Sequence, residues 1–358
     1  HDLNISLRPL SETYTIHFFM KDIVKCVTAK TNDVSKVGQG ISAWTKTINA
    51  VFCPMFRAIE ECFVQSLRPN ILYENAVPEA EYDAFVERNF KFTAEKHVRD
   101  YKEYDSYQDA DTQELEDILL DGFIGRSFRI LYRKMRLKAK QKSKNVTLYN
   151  TGCKNSGESS TLFTNTILNM FLSCLSTKVR GVHCEMYKGD DSLINADEIS
   201  IHNWLATLDP DVHLPMIADM DFPVHADFAG YWISEFGIIP DVLKIMAKMM
   251  SKELSRKPSY VRELAESLRD KEKFFTYQKL TYLARVYLDL YDLRPEQFHQ
   301  MMCTWSYYAL GTDDRANLIG FNSILVSEAG YDLDDLTPAD KDMKRRKNQY
   351  AVTDDYHF

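Results

Sequence analysis

Three aspartates are spaced so that a folded chain can gather them at one point, where they would form a cation site. In Tyr187-Lys188-Gly189-Asp190-Asp191-Ser192, Gly-Asp supplies a tight turn between two strand-forming runs, His183–Lys188 and Ser192–Ala196. Such a turn is acid-rich and exposed, although taken alone it reads more readily as a plain solvated turn, because Asp-rich turns are common. A second acidic segment, Arg99-Asp100-Tyr101-Lys102-Glu103-Tyr104-Asp105, adds weight. Its aspartates point to opposite faces of a continuous strand, and lie about 140° apart on a helix. Both reach one site only where the chain leaves the strand after Asp100 and turns. Neighbouring carboxylates repel, cations neutralise them, and Mg²⁺ favours carboxylate oxygens together with substrate phosphates. Two such ions roughly 3.5–4 Å apart stabilise the attacking and leaving oxygens of an in-line displacement. Capping and surface roles are the alternative for Asp100 and Asp105 taken alone.

Between the acidic sites runs Asn155-Ser156-Gly157-Glu158-Ser159-Ser160-Thr161, a polar loop entering an otherwise apolar helix. Thr161, Asn165 and Asn169 recur at every fourth position and form one polar stripe, while Leu162, Phe163, Ile167, Leu168 and Phe171 bury the other faces. A polar stripe on a buried helix needs partners. A ribose hydroxyl shared with Asp105 is one reading and a satisfied structural network the other.

The elements that must position these residues follow from periodicity. A helix is predicted over Pro78–Phe92, a strand leading to Asp100, helices over about 111–121 and 125–142, a long helix over about 159–176, and a strand over Phe228–Ile233. Beyond Pro240 the apolar spacing is helical over 241–254, 258–270, 276–292, 295–309 and 314–326. The class is α+β with a helical last third. The 358 residues, 45% hydrophobic, are enough for two domains or one multi-lobed unit. The net charge of −8 argues mildly against a nucleic-acid partner, but nine Lys/Arg and no acid lie between Arg126 and Lys144, so local fields decide. That segment reads as a basic wall facing a nucleic acid or as a solvated amphipathic helix. Seven cysteines without CxxC spacing read as reduced thiols. With no long apolar run and no signal peptide, a cytoplasmic protein is expected, and a first residue other than Met suggests a chain excised from a longer one.

Taken in order, Asp100-x4-Asp105, Ser156-Gly157-x3-Thr161-x3-Asn165 and Gly189-Asp190-Asp191 resemble motifs A, B and C of viral RNA-dependent RNA polymerases, in wording and in separation. Upstream, Phe19-Met20-Lys21-Asp22-Ile23-Val24-Lys25 and Lys36-Val37-Gly38-Gln39-Gly40-Ile41-Ser42-Ala43-Trp44 look like the alphavirus-like superfamily. Phe56-Arg57-Ala58-Ile59-Glu60 is closest in wording to the replicase polymerases of hepatitis E-type viruses. The similarity runs from about His17 to Ile233.

The resemblance implies a right-hand polymerase fold with an antiparallel palm sheet and a helical C-terminal thumb. It implies fingers over 1–95, including a motif F-like segment and the start of the palm, palm over 96–122, a fingers insertion over 123–152, palm over 153–239, and thumb with tail over 240–358. Asp100 and Asp190, assisted by Asp191, would be catalytic ligands of two Mg²⁺ ions, with Mn²⁺ a substitute, and Gly189 would shape their turn. Asp105 and Asn165, with Thr161, would recognise the ribose 2′-hydroxyl, the group that distinguishes RNA from DNA. Ser156 and Gly157 would form a loop sensing template and nucleotide, and Lys21, Lys25 and Lys36 would hold the triphosphate. Phe228–Ile233 resembles motif E. The stretch resembling motif D, Leu214–Phe222, has no Lys, so no general acid is assigned. The implied partners are template and product RNA, NTPs, and methyltransferase and helicase regions of a replicase polyprotein. The implied location is host cytoplasm at membrane-associated replication complexes. Reverse transcriptase is the rival among enzymes, and a non-catalytic RNA-binding scaffold the rival outside them. Asp105 with Asn165 speaks against the first, and the retained Asp100, Asp190 and Asp191 against the second.

Overall fold

The computed structural model describes residues 15–20, 40–101, 104–105, 108, 110–138, 140–142, 147–149, 154–201, 218–250 and 258–310. Along the chain its elements are β1 (Thr15–Met20), β2 (Gly40–Ala43), α1 (Lys46–Ser66), β3 (Ile71–Tyr73), α2 (Glu79–Asn89), β4 (Glu95–Tyr101), α3 (Ala110–Leu119), α4 (Arg126–Lys138), β5 (Lys140–Lys142), β6 (Thr147–Tyr149), α5 (Thr161–Ser176), β7 (Thr177–Lys188), β8 (Asp191–Ile201), β9 (Ala218–Asp221), β10 (Ala226–Phe228), β11 (Tyr231–Ser234), β12 (Gly237–Pro240), α6 (Val242–Met250), α7 (Pro258–Glu272), α8 (Tyr277–Tyr291) and α9 (Pro295–Ala309). The expected α+β class holds. The described residues fall into two compact units. One comprises those up to Glu81 and from Asn89 to Ala229, the other Tyr82–Arg88 and those from Gly230 onward.

The first unit is organised by a five-stranded sheet of order β3-β7-β8-β4-β9. Its neighbours are antiparallel except β3 and β7, which run parallel. The hairpin of β7 and β8 is much longer than the short strands expected around Gly189 and carries a bulge between Val182 and Cys184. A smaller sheet of order β2-β1-β5-β6 stands beside it in the same unit. The core under these elements is aromatic. Helix α1 turns Ile48, Phe52, Phe56 and Ile59 onto one stripe, where Phe52 and Phe56 each meet Tyr132 of α4 with ring centroids 5.0 Å apart. No helix was expected over this stretch, and Pro54 within it removes a helical hydrogen bond. Burial of the stripe outweighs that cost, and the helix runs through Pro54.

In the second unit the hairpin of β11 and β12 leads into α6–α9, whose core is built from Trp232, Ile239, Val242, Leu283, Tyr287 and Trp305. Four of the five expected C-terminal helices are present, and the one over 314–326 lies outside the described residues. The single strand expected over Phe228–Ile233 is instead broken. Ala229 (φ 53°) and Gly230 (φ 88°) take the left-handed conformation, so the chain turns between β10 and β11.

Three arginines of the basic run at 126–144 pair with acids, which reduces the charge it can offer to RNA, and of these Arg136 is buried while Arg133 stays half exposed. Arg136 reaches Glu158 at 2.8 Å and Glu116 at 3.0 Å, and Lys154 reaches the other oxygen of Glu116 at 3.1 Å. None of these four side chains is more than 4% exposed. Burial alone would raise the Glu116 carboxyl, but Arg136 and Lys154 hold it down to about 2. Arg133 pairs with Asp117, and Arg129 with Asp121. The five described cysteines, 53, 62, 174, 184 and 303, are free thiols. Among the described residues no helix is long and apolar enough to cross a membrane.

Two consequences for stability follow. Removing one partner of a buried ion pair leaves a charge without compensation, so Arg136→Met is expected to cost about 3–5 kcal/mol by denaturant unfolding. Lys91→Met, which removes a pair with Asp197 half open to solvent, should cost no more than about 1 kcal/mol. Equal losses in the two variants would contradict the ranking. His97 is wholly buried on β4, and neither ring nitrogen has a hydrogen-bond partner among the described residues. Burial, with the Arg99 charge adding to it, lowers its pKa from 6.5 to about 4. The unfolded chain therefore binds a proton between those values that the native chain does not, and stability falls as pH drops through that window. Between pH 7.5 and 4.5 the unmutated protein should lose about 2–3 kcal/mol more than His97→Leu. An identical pH dependence in both would overturn this assignment.

Candidate active site

The site forms where β4, the β7–β8 turn and α5 meet within the first unit. Strand β7 ends at Lys188 and β8 begins at Asp191, with Lys188 opposite Asp191, so Gly189 and Asp190 make a two-residue turn. Gly189 takes φ +58°, the conformation such a hairpin asks of its first central residue. Helix α5 holds this turn from beneath. The Thr166 hydroxyl accepts from the Gly189 N–H at 2.8 Å, and Asn169 Nδ2 donates to the carbonyls of Gly189 and Asp191, each at 3.1 Å. The polar stripe therefore has structural partners at Asn169, while Thr166, which lies off the stripe, was not singled out from the sequence.

Strand β4 brings Asp100 to the same place. Arg99 pairs with Ser192 across β4 and β8, so one step further along the ladder Asp100 faces Asp191, and on its other side it pairs with Asp219 of β9. Arg99 points the opposite way and is 1% exposed, with its guanidinium donating to Tyr101, Ser173 and Thr177. It thus ties the strand that carries Asp100 to α5 and β7.

The chain then leaves the strand at Tyr101 and turns at Tyr104–Asp105, as the five-residue spacing required. Asn165 Nδ2 donates to Asp105 Oδ1 at 2.7 Å, and the Tyr104 hydroxyl donates to the Asn165 carbonyl at 3.3 Å. Gln108, which the sequence reading passed over, donates from Nε2 to Asn165 Oδ1 at 3.0 Å. Its only sequence signal was its position three residues after Asp105, the distance of a single turn.

The carboxylates feel one another. Desolvation raises the Asp190 carboxyl, and the charges of Asp100 and Asp105 raise it further. Solvent touches Asp191, yet protein closes round it. That desolvation, followed by the charges of Asp190, Asp100 and Asp227, pushes its carboxyl up to about 7. Burial also raises Asp105, and the Asn165 hydrogen bond partly offsets this. Asp227 joins the acidic group without having been expected there. Such a donor set, all carboxylate oxygens and mutually repelling, suits hard divalent cations. As the side chains lie, no group of three or more His, Cys, Asp or Glu among the described residues is close enough to hold a metal ion, so a cation would have to draw the carboxylates inward.

The loop before α5 is built from the buried charges described above. Glu158 accepts from the Asn155 N–H and Nδ2 at 3.0 Å each, and the Thr161 hydroxyl donates to the Asn155 carbonyl at 2.9 Å. Ser156 Oγ accepts from the Ser42 N–H at 3.2 Å, while Gly157 forms a bridge with Ala43. A Cβ on Gly157 would stand 2.3 Å from the Ser42 carbonyl oxygen, so only glycine fits. The sequence-predicted residues Asp100, Asp105, Asp190, Asp191, Gly189, Thr161 and Asn165 thus cluster around α5, and Ser156 and Gly157 dock on β2. Lys21, Lys25 and Lys36 lie outside the described residues.

The chain is 31% identical over 297 residues to the non-structural polyprotein pORF1 of hepatitis E virus genotype 3 (isolate Swine/United States/swUS1), a match covering 80% of the chain and 17% of that polyprotein. It is 28% identical over 258 residues to the replicase of beet necrotic yellow vein virus (isolate Japan/S), covering 71% of the chain and 12% of the replicase. The chain thus spans under a fifth of the length of these relatives. Among solved structures it is similar to the RNA-dependent RNA polymerase of a human picorbirnavirus, with a TM-score of 0.49 and 11% identity, covering 88% of this chain and 57% of that one. The family model described as RNA dependent RNA polymerase matches residues 3–312, and the chain belongs to that family of viral polymerases.

Proposed function

We propose that this chain is the polymerase core of a positive-strand RNA virus replicase, extending RNA on an RNA template by two-metal nucleotidyl transfer. The observation that carries this reading is structural: β4, which carries Asp100, is laddered to β8 beside the Gly189–Asp191 turn that α5 holds, so carboxylates from two sequence-distant segments meet at one place. Asp100 and Asp190 are the metal ligands, with Asp191 assisting. When bound, Mg²⁺, or Mn²⁺ in its place, supplies activation of the 3′-hydroxyl and neutralisation of charge on the departing pyrophosphate.

The protein's own contribution is positioning and a fixed field. The α5 hydrogen bonds hold the Gly189–Asp191 turn at one height relative to β4, so the acidic groups are presented together. Asp105 and Asn165 receive the ribose 2′-hydroxyl. Thr161 has given its hydrogen to the Asn155 carbonyl, so in that position its hydroxyl serves ribose as an acceptor. Ser156 and Gly157 shape the loop that meets template and nucleotide. Base pairing with the template selects sequence, and the protein contacts phosphate and duplex shape. Within this reading the five-stranded sheet is palm, its start β3 lying within 1–95, the rest of 1–95 with 123–152 is fingers, and 240–358 is thumb with tail. Methyltransferase and helicase regions of a longer polyprotein, and a membrane-associated complex in the host cytoplasm, are the proposed setting.

Primer extension on an RNA template by the full chain tests the proposal. Asp190→Asn should lower extension by at least about a hundredfold while RNA binding, read by filter retention, is kept. Extension surviving the substitution, or absent from the unmutated chain, would sink the reading.

A further inference from the structure

We propose that Gln108 decides which end of the Asn165 amide faces the incoming ribose, and is thereby a positioning residue for the choice of ribonucleotides over deoxyribonucleotides. This rests on the reading of the site as a polymerase centre.

A side-chain amide has one donating and one accepting end, whereas an ionised carboxylate only accepts. Asn165 can therefore meet Asp105 productively only with its NH₂ group forward, as the 2.7 Å contact from Nδ2 to Asp105 Oδ1 has it. That orientation sends Asn165 Oδ1 the other way, into the protein. There it needs a donor, and Gln108 Nε2 stands 3.0 Å away. Gln108 is wholly buried, so water has no access to take over that bond.

The rest of Asn165 is already fixed. Its carbonyl accepts from Tyr104, and α5 holds its backbone. The freedom left is a rotation of the amide about its last side-chain bond; Asp105 accepts from one end of the amide and Gln108 fixes the other by donating to its oxygen. The Gln108 backbone is held twice, while its Oε1 has no hydrogen-bond partner among the described residues. Its N–H closes a turn onto the Asp105 carbonyl at 3.4 Å, and its carbonyl accepts from Gln113 Nε2 at 3.4 Å. Gln113 in turn accepts from Arg136 at 3.3 Å, which links the selector to the buried ion-pair network.

A 2′-hydroxyl both donates and accepts, so it complements a carboxylate beside an amide NH₂. Asn165 and Asp105 keep their mutual bond with deoxyribose, but the second hydrogen of the NH₂ group and the remaining carboxylate lone pairs gain nothing from it, and a site built to bond a hydroxyl rejects the analogue lacking it. A reversed Asn165 amide would turn its oxygen toward Asp105 and withdraw the donor. The ribonucleotide would then lose its advantage, while a deoxynucleotide would lose little.

The test is primer extension by the full chain with Mg²⁺, comparing kcat/KM for an NTP and its 2′-deoxy analogue. Gln108→Met keeps length and apolar bulk but removes the donor. It should lower the ribo-to-deoxy ratio about tenfold, through loss of ribonucleotide use. Asn165→Ala should also lower the ratio, and adding Gln108→Met to it should change nothing further, because no amide remains to orient. Thermal unfolding identifies any variant that has lost its fold, and Gln108→Leu carries the same expectation should the methionine variant do so. An unchanged ratio in a folded Gln108 variant overturns the proposal. So does an equal fall for both nucleotides, or a further fall on the Asn165→Ala background. Failure of the unmutated chain to extend RNA, or to prefer NTPs, counts against the polymerase reading itself.

Discussion

Thr166 and Asn169, on neighbouring turns of α5, grip the Gly189–Asp191 turn through three hydrogen bonds to its backbone. Everything proposed for the site depends on that grip. Asp190 and Asp191 carry like charges and stand close to Asp100, so repulsion works to spread them. Backbone hydrogen bonds beneath the turn, with the β4–β8 ladder beside it, hold the carrying segments in place while the side chains keep room to close on a cation. On the far face of β4, Arg99 ties the strand to Ser173 and Thr177 through neutral hydroxyls. The cation thus anchors the strand without forming a salt bridge to the site's acids among the described residues.

A second layer of buried charge fixes the loop that enters α5. Arg136, Glu158, Glu116 and Lys154 form a closed set of two cations and two anions between α3, α4 and the loop. Such pairs add little net stability compared with apolar packing, but breaking one is costly, and so they favour a single arrangement. Here the arrangement presents Ser156 and Gly157 to β2 and sets the first turn of α5, on which Thr161 and Asn165 stand.

The site was more legible in the sequence than the framework beneath it. Aspartates at 100, 105, 190 and 191 have few alternatives once their spacing forces a strand end and a turn, and the 161–165–169 stripe announces a helix with polar work on one face. The partners inside were hidden. Gln108, Thr166 and Arg136 look like ordinary polar residues until their neighbours from distant segments are known, because a hydrogen bond's geometry is set by the fold and not by local pattern. The ion pairs of the basic run at 126–144 were hidden for the same reason: its charge is real, but acids from α3 and the segments beside it neutralise part of it. Helix α1 was not read from the sequence, and the aromatic partners from α4 and α5 show why it runs on through Pro54. The four C-terminal helices between 241 and 309, whose apolar spacing is regular and local, were placed within a few residues.

The central claim is that Asp100 and Asp190 grip divalent ions together. Anomalous diffraction from crystals of the full chain soaked in Mn²⁺ tests it most directly. Two-ion chemistry predicts a pair of peaks roughly 3.5–4 Å apart, touched by the carboxylates of Asp100 and Asp190. Crystals with no peak there, or with manganese bound elsewhere while these two aspartates face apart, would contradict it.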